Sequence, residues 1–347
     1  MRVCVTSLGY NPSHLAHLVA YAKAFREAGS DVCFCVHASY GRDAALHAVA
    51  PVMTHDNLDH DLLNSCTHAL LYNAAVGNPA FAWRMKRRGC KVAYVYHEPW
   101  VSLTRLWGEV SLASLARLMV SRLFTLVLLR ICHLVVLPSA EAAKNYRARD
   151  ARINPNFLEM SLIFDDSFHL AAPSSRTTFS YIGTISHAHA FDLFVAFMRY
   201  SLQNRLGIRF LIASRHTFTD QDLLSQYPDD ITLLCGKPLT NDEIVQCYAQ
   251  SICIWNLYRL STQSGVMANS FMCGTPVIAN RTGAFNDFVR DSYNGKFAAP
   301  DNPAEIAQAY SHIAASLDSY VTHCRQTFLD NFFYRAQLNK IQQILNA

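Results

Sequence analysis

The chain has 347 residues, of which 51% are hydrophobic and 16% are charged, and its formal net charge is +4. This length and apolar content predict two folded domains with sizeable cores and exclude a largely disordered chain. The small net charge gives no reason to expect a nucleic-acid partner.

The eleven cysteines are an odd number, and no Cys-x-x-Cys pair occurs. Most of them lie inside apolar runs, which favours buried, reduced thiols in a cytosolic protein over a disulfide framework or a zinc site. Because an apolar run already begins at residue 2, we expect no signal peptide.

The N-terminal part predicts a doubly wound parallel sheet. An apolar strand at 2–6 leads through a loop with a single glycine, Gly9, to a helix with apolar residues at helical spacing. That helix ends at Gly29, and the next strand covers 31–36. This strand-helix-strand order is the usual opening of such a sheet. The dinucleotide-binding pattern G-x-G-x-x-G is absent.

His97 and Glu98 follow a predicted buried strand at 92–96. Ligands of open α/β sheets collect at the carboxyl ends of strands, so both side chains are placed for chemistry. Glu98 is the candidate base that would take a proton from a hydroxyl group, and His97 is the candidate to contact the substrate. The alternative is a histidine at a strand end beside a solvated glutamate.

The stretch 101–137 is very apolar, yet arginines interrupt it, and a basic helix at 83–88 precedes it. No uncharged run reaches the roughly 18–20 residues that span a bilayer. Apolar side chains interleaved with arginine suit the headgroup region of a membrane. We therefore predict membrane-associating helices near 101–130; the alternative is a helical pair buried against the sheet. The candidate lipid contacts are Arg105, Arg117, Arg122 and Arg130.

The stretch 251–280 predicts a strand, a polar loop, a helix, a tight turn and a second strand. The helix covers 265–272, with Gly274 as its C-cap and Pro276 as its stop signal. A polar loop before a helix offers free amides and the positive end of the helix dipole, which suit a phosphate. The alternative is an ordinary N-cap, in which Ser264 serves only its own helix. The predicted donors are Thr262, Ser264 and the amides of Gly265 and Val266.

Residues 272–310 resemble the donor-binding half of GT-B glycosyltransferases, especially family 4 and its relatives. The matching motifs are Cys273 to Ile278, Gly283-Ala284, Asn294-Gly295 and Pro300 to Ala307. The resemblance implies an α/β GT-B fold, in which two Rossmann-like, doubly wound parallel-sheet domains face an interdomain cleft. The rest of the chain agrees with this family in layout only.

Charged residues that are typical of family 4 are absent. Ser261 and Asn269 stand where that family usually carries two glutamates, and Thr184 and His189 stand where it usually carries an arginine and a lysine. The run STQSGV at 261–266 is similar to a variant of some bacterial exopolysaccharide and lipid-linked sugar transferases. In those enzymes, loop hydroxyls and helix amides hold the nucleotide diphosphate.

The resemblance therefore implies a donor site around these turns. Three cations, Arg215, Lys237 and Arg259, are able to balance the charge of a diphosphate, and the alternative for each is an ordinary surface charge. Polar side chains of the loop and the helix would bind the hydroxyls of the sugar. The predicted donor-binding set is Gly183, Thr184, His189, Arg215, Lys237, Tyr258, Arg259, Thr262, Gln263, Ser264, Gly265, Val266 and Asn269.

In the first domain, the resemblance implies that the loop after the first strand borders the acceptor. Gly9, Tyr10, Asn11 and Ser13 are the candidates, and the alternative is a plain turn. A linker composition at 165–178 sets the domain boundary. We predict an acceptor-binding domain at 1–170, a donor-binding domain at 171–328 and a C-terminal helix at 329–347 that crosses back to the first domain.

The leading hypothesis is a glycosyltransferase that is peripheral on the cytoplasmic face of an anionic membrane. It would move a sugar from a nucleotide-diphosphate sugar to a lipid-linked or glycan acceptor, without a metal or another cofactor, because helix amides and cations can stabilise the leaving group. The alternatives are a nucleotide-sugar 2-epimerase of the same fold and a non-catalytic GT-B subunit. An epimerase would convert the nucleotide sugar without releasing nucleoside diphosphate, and a non-catalytic subunit would do neither.

Overall fold

Short apolar runs form two parallel sheets, one in each of the two units into which the chain divides. The computed structural model describes residues 1–97, 112–166, 175–261 and 263–347, with the side chains of 112–118 excepted. Unit 1 comprises Met1–Asp165 and Asn331–Ala347, and unit 2 comprises Asp166–Asp330. The predicted boundary at 170/171 lies outside the described residues.

Unit 1 contains a seven-stranded sheet in which every strand is parallel to its neighbours. Its strands run in the order β3-β2-β1-β4-β5-β6-β7, so the order reverses between β1 and β4. The strands are β1 Arg2–Ser7, β2 Asp31–Val36, β3 Val52–Thr54, β4 His68–Tyr72, β5 Lys91–Val95, β6 Leu134–Leu137 and β7 Phe157–Glu159.

Helices cover both faces of this sheet, and each face has its own core. One core joins Val5 and Phe34 of the sheet to Phe25 and Ile341, and the other joins Leu71 to Leu129. The helices are α1 Leu15–Glu27, α2 Ala44–His47, α3 His60–Asn64, α4 Asn78–Arg87, α5 Leu112–Ile131, α6 Ala140–Arg149 and, at the end of the chain, α14 Leu338–Asn346. Short 3₁₀ turns lie at Pro12–His14, Ala38–Tyr40 and Tyr334–Gln337.

The C-terminal segment is not the single helix that the sequence predicts at 329–347. The amide of Phe164 donates to the carbonyl of Phe332 at 2.8 Å, and the amide of Tyr334 donates to Phe164 at 3.0 Å. This bridge holds the backbone at Phe333 extended, so helical structure resumes only in the 3₁₀ turn and in α14. The segment belongs to unit 1.

Unit 2 contains a six-stranded sheet that is also parallel throughout. The order β10-β9-β8-β11-β12-β13 reverses between β8 and β11. The strands are β8 Thr178–Ile182, β9 Arg209–Ser214, β10 Ile231–Cys235, β11 Ser251–Asn256, β12 Val277–Ala279 and β13 Gly295–Phe297. The helices are α7 Phe191–Gln203, α8 Gln221–Gln226, α9 Asn241–Ala249, α10 Gly265–Met272, α11 Phe285–Phe288, α12 Pro303–Ala315 and α13 Leu317–Asn331.

The two sheets confirm the predicted pair of doubly wound, Rossmann-like domains. The predicted strand-loop-helix-turn-strand order at 251–280 is also confirmed. Helix α10 ends in a Schellman motif, in which the amide of Gly274 bonds Phe271 at 3.0 Å and the amide of Thr275 bonds Ser270 at 2.8 Å. Gly274 has φ +67°, a left-handed conformation that suits glycine, so its prediction as the cap is confirmed.

A buried arginine, which sequence reasoning missed, bonds the carboxyl end of α10. Arg176 is 4% exposed and donates to the carbonyls of Tyr248 and Ser251 at 3.0 Å and of Cys273 at 2.7 Å. Tyr248 and Cys273 lie at the carboxyl ends of α9 and α10, where the helix dipoles are negative. Burial nevertheless lowers the pKa of Arg176.

Candidate functional site

The two loops that flank the reversal of strand order in unit 2 bring most of the predicted donor residues together. One loop follows β8 and begins at Gly183; the other follows β11 and runs to Ser264. Ligands of open α/β sheets bind at such a switch point, outside the carboxyl ends of the strands. The topology therefore identifies the candidate site independently of the motifs.

Ser264 is the N-cap of α10, and its side chain is fully used inside the unit. The hydroxyl accepts a hydrogen bond from the amide of Met267 at 3.1 Å and donates one to Oδ1 of Asn256 at 3.3 Å. Ser264 is also buried. The ordinary N-cap that the sequence left open thus describes this hydroxyl, which leaves the backbone amides as the candidate donors to a phosphate.

The backbone at the start of α10 offers two donors. Within the described part of the chain, no acceptor bonds the amides of Gly265 and Val266, which are the first two of the helix. A Cβ on Gly265 would meet no atom within 4 Å. Free amides, open space and the positive end of the helix dipole together form a place for an anion.

The turn after β8 passes close to this helix start. Gly183 has φ +126°, and a Cβ there would lie 3.6 Å from Cγ2 of Val266. A larger residue at 183 would be strained whatever space it had. Glycine thus brings the turn backbone against the first turn of α10.

His189 and Tyr258 connect the two loops. Their rings lie 4.5 Å apart, and Nε1 of Trp255 donates to the carbonyl of His189 at 3.3 Å. Nδ1 of His189 lies 3.0 Å from the carbonyl of Thr184, so this nitrogen carries the proton in the neutral ring. The remaining nitrogen of neutral His189 is an acceptor, and the ring must gain a proton before that atom can donate to a phosphate.

Asn256 and Gln263 place two unsatisfied polar atoms in the same loop. Asn256 ends β11 and is 0% exposed, and its Nδ2 has no hydrogen-bond partner among the described residues; the same holds for the buried Oε1 of Gln263. A buried donor without an acceptor is costly, so a ligand atom is a natural partner for it. Asn256 was missed by sequence reasoning, although a polar residue that ends an apolar strand at a switch point is a usable signal.

The predicted cations differ in how they are engaged. Arg259 makes a bidentate ion pair with Asp192, at 2.6 and 2.7 Å, and this pairing lowers the pKa of Asp192. Lys237 pairs with Glu243 at 3.1 Å. Arg215 is exposed, and no described residue forms an ion pair with it. Since Arg215 follows β9, which adjoins β8, it is the most available cation at this edge.

Two further residues of the predicted set are only partly placed. Asn269 lies beside the hydroxyl of Tyr248, where it partly offsets the burial that raises the pKa of that tyrosine. Thr262 lies outside the described residues.

Two Asp-x-Asp strings, at 59–61 and 220–222, are explained by helix capping. Asp59 accepts the amide of Leu62 at 2.9 Å at the start of α3. Asp220 accepts the amide of Leu223 at 3.2 Å at the start of α8, and its other oxygen pairs with Arg199. The spacing therefore reflects local helix starts.

In unit 1, the predicted acceptor loop follows β1 and is tied down by its neighbours. The side-chain oxygen of Asn11 caps the 3₁₀ turn by accepting from the backbone amide of Ser13 at 3.2 Å. The backbone amide of Asn11 donates to the hydroxyl of Tyr40 at 2.9 Å. Tyr10 is half exposed and packs on Tyr40, with ring centroids 4.8 Å apart. The backbone of Gly9 accepts from Nδ2 of Asn73 at 3.0 Å.

Three histidines gather where β1, β4 and β5 end. The rings of His14 and His97 are stacked at 5.9 Å, and His97 meets Tyr72 edge-on at 4.5 Å. Nδ1 of His17 bonds the carbonyl of Ile163 at 2.9 Å. Burial lowers the pKa of His14 and of His17 to about 4, and burial together with these two neighbours lowers the pKa of His97 well below its ordinary value. All three are thus neutral at pH 7.

This protonation state limits what His97 can do. A neutral imidazole with a strongly lowered pKa is a weak proton acceptor, but it still bonds a hydroxyl well. The role of a base is therefore better suited to Glu98, which lies outside the described residues.

The predicted lipid-facing arginines are not equivalent. Arg122 donates to the carboxylate of buried Asp150, at 2.8 Å for one contact, and to the hydroxyl of Tyr96 at 3.1 Å. Its side chain is 15% exposed, so this ion pair removes Arg122 from the lipid-facing set. Arg130 is exposed. Arg105 and the side chain of Arg117 lie outside the described residues.

The sequence of unit 2 matches a known family. Residues 176–316 match the family described as Glycosyl transferases group 1. Among curated proteins, none matches the amino-acid sequence of the chain.

Solved structures resemble the chain over its whole length. Sucrose-phosphate synthase from Thermosynechococcus elongatus has a TM-score of 0.75 at 13% identity, over 100% of this chain and 98% of that one. HepE from Anabaena, solved with UDP-glucose, has a TM-score of 0.70 at 14% identity, over 100% and 99%. The pneumococcal O-GlcNAc transferase GtfA, solved with UDP and GlcNAc, has a TM-score of 0.67 at 12% identity, over 100% and 99%. These similarities confirm the predicted GT-B fold.

Proposed function

We propose that the chain is a glycosyltransferase and that unit 2 holds its nucleotide-diphosphate sugar; the GT-B fold and the match of residues 176–316 to glycosyl transferases group 1 support this. The acceptor would be bound by unit 1. Among the solved structures that resemble the chain, HepE holds UDP-glucose, and GtfA holds UDP and GlcNAc.

The observation that carries the proposal is the pair of free amides at the head of α10. Gly265 and Val266 offer them at the switch point of the sheet, beside the glycine turn after β8. The diphosphate would lie against these amides, with the exposed Arg215 as a candidate cation to balance its charge. Nδ2 of Asn256 is a further donor for a ligand atom in the loop.

Breaking the bond between the sugar and the diphosphate leaves negative charge on the departing phosphate oxygen. Preorganised amides at a helix start stabilise such a charge as it develops, without the free-energy cost of reorganising solvent. We propose that these amides and a cation perform the task without a metal. The acceptor hydroxyl loses its proton as its oxygen bonds the sugar carbon, and Glu98 is the candidate to receive it, with His97 bonding the acceptor.

The acceptor is proposed to be presented by an anionic membrane. The support is a surface of unit 1 that combines exposed apolar side chains of α5 with exposed cations of α4. In the described part of the chain, no helix is both long enough and apolar enough to cross a bilayer. Binding would therefore be peripheral, through side chains of the kind that favour the headgroup region.

The test is to incubate the protein with a panel of UDP-, GDP-, ADP- and TDP-sugars, with and without a membrane lipid extract. We expect release of one nucleoside diphosphate, accelerated by the extract, together with a sugar-labelled lipid product. Conversion of the nucleotide sugar without release would instead indicate epimerisation. Absence of both reactions, with no nucleotide bound, would contradict the proposal.

The base is tested separately with Glu98→Gln. This variant should bind the nucleotide sugar as the wild type does and lose turnover. A fully active variant would exclude Glu98 as the base.

A further inference from the structure

An open groove of about 470 Å³ lies between α5 and the loop that leads into α4. Its walls are mainly apolar and include Ala75, Val76, Pro79, Val120, Phe124 and Leu128. Val76 and Val120 at its mouth are 72% and 53% exposed. Pockets of this size accommodate a small organic ligand or part of a chain.

The polar groups in its walls make few demands on a ligand. Asn78 donates to the carbonyl of Asn73 at 2.6 Å, and the hydroxyl of Thr125 donates to the carbonyl of Ser121 at 2.9 Å. Because these side chains are already bonded to the backbone, the groove offers mainly dispersion and burial, which suit a hydrocarbon.

The groove adjoins the candidate acceptor loop. A Cβ on Gly9 would lie 3.4 Å from Nδ2 of Asn73 and 3.6 Å from Cβ of Ala75, which lines the groove. Asn73 also approaches Nδ1 of His14, at 3.3 Å. A chain in the groove therefore has its exit next to the residues at which an acceptor hydroxyl is expected.

The charges around the groove favour an anionic head. Helix α4 begins in the wall of the groove and ends with the exposed cations Arg84, Lys86 and Arg87, and Arg88 follows. At a rise of about 1.5 Å per residue, they lie about 8–13 Å from Pro79. No acidic residue occurs in 62–97 or in 110–140, so this surface is cationic throughout the segments that form it.

We infer that this groove holds part of the hydrocarbon chain of a lipid-linked acceptor whose phosphate lies at the exit beside the acceptor loop, while the cations of α4 contact the anionic headgroups around it. That the ligand is an acceptor rests on the proposed function. Its chemical class, an alkyl chain with a phosphate, is inferred from the groove and the charges around it. It assigns the acceptor to the lipid-linked class rather than to free glycans.

The test is calorimetric titration of the full chain with decyl phosphate below its micelle concentration, at two temperatures. We expect binding with a negative heat-capacity change, the mark of apolar burial. Ser121→Trp fills the groove and should weaken binding about tenfold or more, since each methylene returned to water costs about a fourfold loss of affinity. Leu123→Trp is the matched control: Leu123 is 64% exposed on the same helix but does not line the groove, so affinity should stay unchanged.

A second variant, Val120→Glu, places a carboxylate at the exposed mouth and should repel the probe with little risk to folding. Equal affinities for wild type, Ser121→Trp and Val120→Glu would overturn the inference, as would binding of inorganic phosphate as tight as that of decyl phosphate. A dimer that decyl phosphate does not dissociate would assign the groove to a second copy of the chain, and this result would also overturn the inference. Nucleoside diphosphate affinity, measured in the same samples, separates this outcome from failure of the donor site in unit 2.

Discussion

The hydroxyl of Ser264 donates a hydrogen bond to Oδ1 of Asn256 across 3.3 Å and accepts one from Met267. This relationship fixes the loop before α10 to the end of β11. It also uses the hydroxyl both as a donor and as an acceptor, so the proposed anion site at the helix start would depend on backbone amides rather than on this side chain.

Replacing Ser264 with alanine should therefore affect folding more than binding. Loss of the N-cap should lower the free energy of unfolding by about 1 kcal/mol, as measured by urea denaturation. The affinity for nucleoside diphosphate should change by less than about threefold, because no donor to phosphate is lost. An unchanged stability with a large loss of affinity would mean that the hydroxyl contacts the ligand directly.

The sequence predicted this region well because its signals are local. The apolar run of β11, Gly274 at a left-handed position and the apolar spacing of α10 each determine structure over a few residues. What Ser264 bonds depends on Asn256, eight residues earlier, and a local pattern cannot decide between a cap and a ligand contact.

Stability should fall as the pH drops from 6.5 towards 4. Burial holds the pKa of His14 and His17 at about 4 in the folded chain, against an ordinary value of 6.5. The unfolded chain thus binds more protons in this range, and protonation favours unfolding. Urea denaturation at pH 7.5 and pH 5 should give a clearly lower free energy of unfolding at pH 5.

His17→Phe should reduce this pH dependence, because an apolar ring beside Tyr72 and Phe164 has no proton to gain. The matched control is His60→Gln, since His60 is exposed at the start of α3. If His60→Gln removes the pH dependence of the free energy of unfolding and His17→Phe leaves it unchanged, groups other than His17 cause it.

Arg176 should be the most important single polar residue for the stability of unit 2. Arg176→Met removes donors from three buried carbonyls, two at the ends of α9 and α10 and one at the start of β11, so we expect a loss of at least about 3 kcal/mol in the free energy of unfolding. Arg209→Met, at the exposed start of β9, is the control and should change stability little. Similar melting temperatures for the two variants would contradict this account of Arg176.

Membrane binding should depend on α4. Arg84→Gln, Arg87→Gln and Arg88→Gln combined should weaken co-sedimentation with phosphatidylglycerol vesicles about 100-fold, at about 1 kcal/mol per cation. The control removes the same charge elsewhere in unit 1, by Lys144→Gln, Arg149→Gln and Arg152→Gln on and after α6. If both triple variants lose binding equally, net charge rather than this surface attracts the protein.

Arginine in an apolar helix was the weakest guide in the sequence. Arg122 and Arg130 have the same composition around them, yet Arg122 pairs with buried Asp150 and Arg130 is exposed. Asp150 lies 28 residues away in the chain, and only the tertiary structure brings the two together. Arg176 was missed for the same reason, since the carbonyls that it bonds come from other strands and helices.

The most direct test of the donor site removes one amide proton. Gly265→Pro deletes the first free amide of α10, at a position where proline suits the helix and follows a residue that is already extended. Gly265→Ala keeps that amide, and its Cβ enters open space. Calorimetry with the tightest-binding of UDP, GDP, ADP and TDP should give a proline variant that binds about 10–100-fold more weakly than wild type, since a hydrogen bond to a charged group is worth about 1.5–3 kcal/mol. The alanine variant should bind as wild type does, and equal affinities for the proline and alanine variants would contradict the phosphate site.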